Sequence, residues 1–115
     1  MTSEDPHNLQ RFLDAQNKKY VSALRELHNG KKLSHWIWYI FPQVAGLGHS
    51  SIAQEYAISS KEEASAYLSH EVLGSRLHEC ASALLPHKDK RVEDIMGFPD
   101  DLKLKSSMTL FARFC

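Results

Sequence analysis

The sequence predicts an all-α (mainly α) fold, a compact single domain in which several helices pack as an orthogonal bundle. Two observations carry that expectation. Between Leu9 and Leu27, apolar residues recur at i, i+3, i+4 and i+7, the period of a helix with one buried face. Further on, capping residues and helix stops alternate at short intervals: Ser34 before Pro42, Ser60 before Glu63, Pro86 after Leu85, Asp100 after Pro99. At 115 residues the chain is one domain at most, expected to span residues 1–115.

The first helix is the clearest element. Asp5 offers an N-cap, Pro6 suits the first helical position, and Gly30 closes the helix after Asn29. Its stripe is Leu9, Phe12, Leu13, Gln16, Tyr20, Ala23, Leu24 and Leu27. Gln16 is polar within that stripe, so its amide is expected to be buried and hydrogen-bonded to another element, because an unpartnered one costs ~1–3 kcal/mol. The aromatic segment from Ser34 to Pro42 reads as a short helix capped by Ser34, with a buried strand as the alternative for its continuous apolar run.

Ser50 or Ser51 caps a short helix through Ile52, Ala53 and Tyr56. Ser60 to Glu63 is a capping box opening the next. A longer helix is expected from about Glu71 to Leu85, with Val72, Leu73, Leu77, Cys80, Ala81, Leu84 and Leu85 inward and Pro86 ending it. Gly74 within it either weakens the helix or permits close packing. Val92 to Met96 is one or two turns, and Gly97-Phe98-Pro99 is a turn. The last element is read as helix rather than strand, because Asp100 and Asp101 sit where the helix macrodipole favours negative charge.

Composition excludes several function classes. Fourteen basic and fourteen acidic residues cancel, so the chain lacks the electrostatic footprint of a nucleic-acid binder. No apolar stretch approaches the ~20 residues needed to span a bilayer. The polar, acidic N-terminus does not read as a signal peptide. Cys80 and Cys115 form no CxxC pair and are read as reduced thiols, giving an expected cytoplasmic location. HExxH, CxxC and GxSxG are all missing, so a structural zinc site is not expected; the paired aspartates Asp100 and Asp101 could bind a metal or serve as general base, but no metal and no cofactor is assigned.

The stretch Ser34-His35-Trp36-Ile37-Trp38-Tyr39-Ile40-Phe41-Pro42-Gln43, with Gly46-Leu47-Gly48-His49-Ser50 after it, holds both tryptophans. Large rigid rings wall pockets, and glycines let backbone approach a ligand closely. His35 is the best acid–base candidate by its unperturbed pKa near 6.5, although capping a helix is the plainer role. Trp36 and Trp38 could wall a site for a flat ligand or be ordinary core. Gln16 and Gln43 could recognise a donor–acceptor edge or complete a buried network. The Gly46–Gly48 turn lacks the spacing and lysine of a P-loop, but it can offer N–H groups to an anion. Asp101, Lys103 and Ser106 form a second polar cluster, with a capped, solvated helix face as the plainer reading.

The residues Asp5-Pro6, Arg11-Phe12, Ala15-Gln16, Ser34 through Gln43, Gly46-Leu47-Gly48, Tyr56-Ala57-Ile58, Ala66-Tyr67-Leu68, Leu73-Gly74, Arg76-Leu77 and Phe98 through Phe111 carry a resemblance across nearly the whole chain. The sequence resembles an uncharacterised bacterial and fungal family, domain-of-unknown-function family 1810, whose members are often mislabelled "calpastatin". The resemblance implies a compact helical domain and no established activity. His49 stands where relatives more often carry a basic residue such as Arg. The resemblance also implies a further C-terminal helix in relatives, which this domain is expected to lack.

The sequence-level reading is therefore a small-ligand-binding domain with an aromatic pocket, the ligand nucleotide-derived in one version. The ligand set is Gln16, Trp36, Trp38, Gln43, Gly46, Gly48, Lys103 and Ser106, and hydrolysis would use His35 or Asp101 as base. The alternative is a helical protein–protein interaction module whose aromatics are core. No nucleic acid and no membrane are expected as partners. A homodimer is expected through the apolar excess of Leu104, Met108, Leu110, Phe111 and Phe114.

Overall fold

The computed structural model describes residues 5–46 and 48–112. It is all-α: α1 (Gln10–His28), α2 (Ile37–Ile40), α3 (Ser51–Glu55), α4 (Lys61–Ser69), α5 (Glu71–Ser82), α6 (Val92–Met96) and α7 (Asp100–Ala112), with a 3₁₀ turn at Leu85–His87. Among the described residues the extended pairing is a single parallel bridge between Val44 and Ile58. The buried-strand alternative for the aromatic run is thus set aside, because Ile37–Ile40 closes one helical turn before Pro42 stops it.

The stripe of α1 is buried as its period requires. Phe12, Ala23 and Leu27 lie in the core with Gln16. The start of α1 differs from expectation: it begins at Gln10, not Pro6. Asn8 adopts a positive φ of 50°, which breaks the helical path. Asp5 still caps from a distance, its carboxylate accepting from Leu9 N at 2.7 Å and Gln10 N at 2.9 Å. Ser34 is also reassigned, since its hydroxyl donates to Glu26 rather than capping α2.

Ser50 caps α3 and Ser60 caps α4 as read, accepting from Ala53 N and Glu63 N. Glu63 returns its bond to Ser59 N, one residue earlier than a capping box requires. His70 caps α5, its Nδ1 accepting from Val72 N and Leu73 N, which places its ring proton on Nε2. Helix α5 ends at Ser82, and the last turn tightens to the 3₁₀ turn around Pro86. Val72 and Leu85, expected inward, are exposed. Gly74 has a packing role: a Cβ there would stand 2.2 Å from Leu68 O, so only glycine lets α5 sit this close to the end of α4.

The core is tied by rings and by satisfied polar groups. Phe12 meets Tyr67 edge-on at 5.1 Å, and Tyr67 meets Phe111 at 5.2 Å, joining α1, α4 and α7. Gln16 is buried as expected. Its amide donates to Tyr39 O at 2.7 Å and Tyr67 Oη at 2.9 Å, and its oxygen accepts from Arg76. Leu104 and Phe111 are buried within the fold, so the apolar excess of the last helix is smaller than expected; Phe114 lies outside the described residues. Among the described residues no helix is long and apolar enough to cross a membrane.

Candidate functional site

The aromatic segment divides into two environments. Trp36 is 1% exposed and its indole N–H donates to Glu26 Oε1 at 2.9 Å. The same carboxylate accepts from Leu33 N, Ser34 N and Ser34 Oγ. Burial works against the Glu26 charge, but these donors outweigh it and bring its pKa down to about 2. Trp36 and Gln16, both named from the sequence as ligand residues, are therefore placed within the core with their polar atoms committed to neighbours.

Trp38 faces the other way and is half-buried. Two clefts meet at it. One, of 230 Å3, is bordered by Trp38, Gln43, Pro99, Leu102, Lys103 and Ser106. The other, of 170 Å3, is bordered by Trp38 and Gln43 together with Gly46, Gly48, Gln54 and Ser59, among others. Six of the sequence-selected residues thus come together: Trp38, Gln43, Gly46, Gly48, Lys103 and Ser106.

Local sequence explains the convergence. Pro42 ends α2, and the chain then runs beside Ile58, bonded through Ile58 N to Gln43 O at 2.8 Å and Ala45 N to Ile58 O at 2.9 Å. Gly46, at φ +95°, turns the chain back. Gly48 then passes the indole: a Cβ there would lie 3.1 Å from Trp38 Cη2 and 2.7 Å from the Ala53 Cβ. The opposite wall is Pro99 and one face of α7, where Leu102, Lys103 and Ser106 recur at helical spacing.

Two side chains set the chemistry. Gln43 is 3% exposed, and its Nε2 donates to Phe41 O at 2.8 Å and to Lys103 O at 2.7 Å. Both partners are acceptors, so the amide cannot be flipped without losing both bonds. Lys103 Nζ lies 4.3 Å from the Trp38 ring centroid and 3.2 Å from Asp100 Oδ1. Asp100 is shared, because Lys32 Nζ takes its other oxygen at 2.6 Å. Burial opposes the Asp100 charge, yet the two lysines prevail and hold its pKa below the usual value.

The proposed acid–base pair is not brought to these clefts. His35 is exposed and borders neither; its backbone carbonyl accepts from Tyr39 Oη at 3.3 Å. Asp101 is 7% exposed on the inner face of α7, and its Oδ1 has no partner among the described residues. Ser107, fully buried, has a hydroxyl that likewise finds no partner among the described residues. Its default acceptor one turn back, Lys103 O, already takes Gln43. Among the described residues no cluster of three or more His, Cys, Asp or Glu is placed to hold a metal ion.

Pro99 and Leu102 belong to the same stretch as Lys103 and Ser106 and border the cleft with them, whereas Gln54 and Ser59 reach the site only through the fold. A larger apolar groove of 640 Å3 lies elsewhere, between Leu68, Gly74, Leu77 and Ala81 on one side and Met108 and Phe111 on the other. It holds few polar groups, so the Trp38 clefts, although smaller, are the better candidate for specific recognition.

The sequence profile of the family described as "Protein of unknown function (DUF1810)" matches residues 6–115. Among solved structures, the chain is similar to the crystal structure of the conserved hypothetical protein Rv1873 from Mycobacterium tuberculosis at 1.38 Å. The two share 53% identity with a TM-score of 0.94, over 96% of this chain and 79% of that chain. A comparison with curated proteins finds no match.

Proposed function

For this chain, which belongs to the DUF1810 family of proteins of unknown function, we propose the binding of a small ligand in the clefts on either side of Trp38 and Gln43. The observation that carries the reading is convergence: a half-buried indole, a fixed amide and a glycine turn from one segment, and a lysine from α7 far away in sequence, border adjoining cavities. Binding rather than hydrolysis is proposed, because the described cleft walls carry no carboxylate or imidazole to act as base. A cytoplasmic location is part of the proposal, supported by Cys80, which is a free, buried thiol among the described residues.

A thermal-shift screen against nucleotides, sugars and phosphorylated metabolites tests this. A ligand at a hundred times its Kd stabilises the folded state by ~2.7 kcal/mol. Hits should vanish in Trp38→Ala. Hits that all survive Trp38→Ala would place binding elsewhere and overturn the reading.

A second reading has its own observation. The 640 Å3 groove between α4, α5 and α7 is apolar enough to take the apolar face of a partner helix, which favours an interaction module and includes self-association as a homodimer. Sedimentation over a range of concentrations checks the homodimer: association weakened by Met108→Glu supports it, and a monomer at all concentrations removes it.

A further inference from the structure

Resting on the reading of the Trp38 clefts as a ligand site, we infer that the ligand is a compact planar anion that also carries a hydrogen-bond donor, an N–H or an O–H. Three features of the cleft walls define that class.

The first is charge. Lys103 is the one charged side chain among the described residues bordering either cleft. Its nearest carboxylate, Asp100, is held more closely by Lys32, at 2.6 Å against 3.2 Å, so Lys103 is not consumed by the pair. An ammonium has three donors, and the Asp100 contact uses one. Ser106, one turn along the same face, has a hydroxyl that makes no hydrogen bond among the described residues and stands beside that cation. An ammonium with a neighbouring hydroxyl favours a carboxylate or phosphate oxygen.

The second is a fixed acceptor. Gln43 spends its amide nitrogen on Phe41 O and Lys103 O. The oxygen of the same amide makes no hydrogen bond among the described residues, and Gln43 borders both clefts. A ligand that covers this oxygen must bring an N–H or O–H to it, or the acceptor is left unpaired at a cost. Because Gln43 bonds the backbone of Lys103 itself, acceptor and cation belong to one small site.

The third is size and shape. At 230 and 170 Å3, both clefts lie below the ~300–1,000 Å3 of pockets that take drug-sized ligands. Pro99 supplies a flat wall, and the Trp38 indole, with Lys103 Nζ 4.3 Å from its ring centroid, sets the cation beside it. A single planar ring bearing both groups fits that space.

Three probes separate the terms: pyrrole-2-carboxylate, pyrrole-2-carboxamide, which keeps the N–H and drops the charge, and furan-2-carboxylate, which keeps the charge and drops the N–H. Affinities are measured by calorimetry on the full chain. The expected result is that pyrrole-2-carboxylate binds at least tenfold more tightly than either analogue. Lys103→Met should lower its affinity to that of the carboxamide, and Lys103→Arg should restore most of it. Equal affinity for all three probes, or a pyrrole-2-carboxylate affinity unchanged by Lys103→Met, would overturn the ligand class. If only neutral or cationic fragments bind and do so in a Trp38-dependent manner, the class fails while the cleft reading stands. If nothing from any class binds there, the cleft reading itself has failed.

Discussion

Trp36 and Trp38 are two residues apart and occupy opposite kinds of environment. The polar groups around Trp36 are closed on one another: a single carboxylate, Glu26, accepts from two backbone amides, a hydroxyl and the indole. The polar groups around Trp38 are only partly used, with a spare oxygen on Gln43 and spare donors on Lys103 and Ser106. Polar residues that satisfy each other hold a fold together, whereas those with capacity left over at a cavity wall are available to a ligand.

The largest expected effect lies on the Trp36 side. Glu26→Gln removes the charge that four donors converge upon, and an amide there turns a donor toward at least one of them. It should destabilise by about 2–4 kcal/mol in urea titrations and leave ligand binding unchanged once the protein is folded. The pH dependence follows the same group. The folded pKa of about 2 lies below the ordinary value of 4.5. The contribution of Glu26 is thus fully present above about pH 4.5 and is lost as pH falls toward 2, on the order of 2–3 kcal/mol in total. Acid unfolding of wild type should be steeper over that window than that of Glu26→Gln. Identical acid profiles would remove Glu26 as the staple.

A matched pair of substitutions sharpens the contrast. Trp36→Phe leaves Glu26 short of one donor and opens a void in a region with no exposure, at about 2–3 kcal/mol. Trp38→Phe trims a half-buried ring at a cleft wall and should cost about 1 kcal/mol or less. Equal costs would mean that both tryptophans are core and that the cleft is a packing accident.

Much of the fold was legible in the sequence because it rests on local signals. The stripe from Phe12 to Leu27, the serine caps at Ser50 and Ser60, and the acidic start of α7 each needed only a short window. What escaped depended on partners distant in sequence or on single backbone angles. Nothing local shows that Asn8 turns left-handed and delays α1, or that Ser34 serves Glu26 instead of α2. The sequence grouped both tryptophans in one pocket because their residue type is the same. Their separation follows from one helical turn: rotation along α2 sends Trp38 outward, while Ile37, Tyr39 and Ile40 point in. Asp101 and Lys103 divide in the same way between the inner and outer faces of α7. His35 had chemistry in its favour, but its place before the first turn of α2 leaves it exposed and away from the clefts.

The most direct test follows the two indole N–H resonances by NMR while a fragment library that includes pyrrole-2-carboxylate is added. The Trp36 signal should be strongly protected from exchange by Glu26 and should stay in place throughout. The Trp38 signal should exchange faster and move with each binding fragment. A Trp38 resonance that no fragment shifts, or a Trp36 resonance that shifts alone, would contradict the division of this segment into a structural half and a binding half.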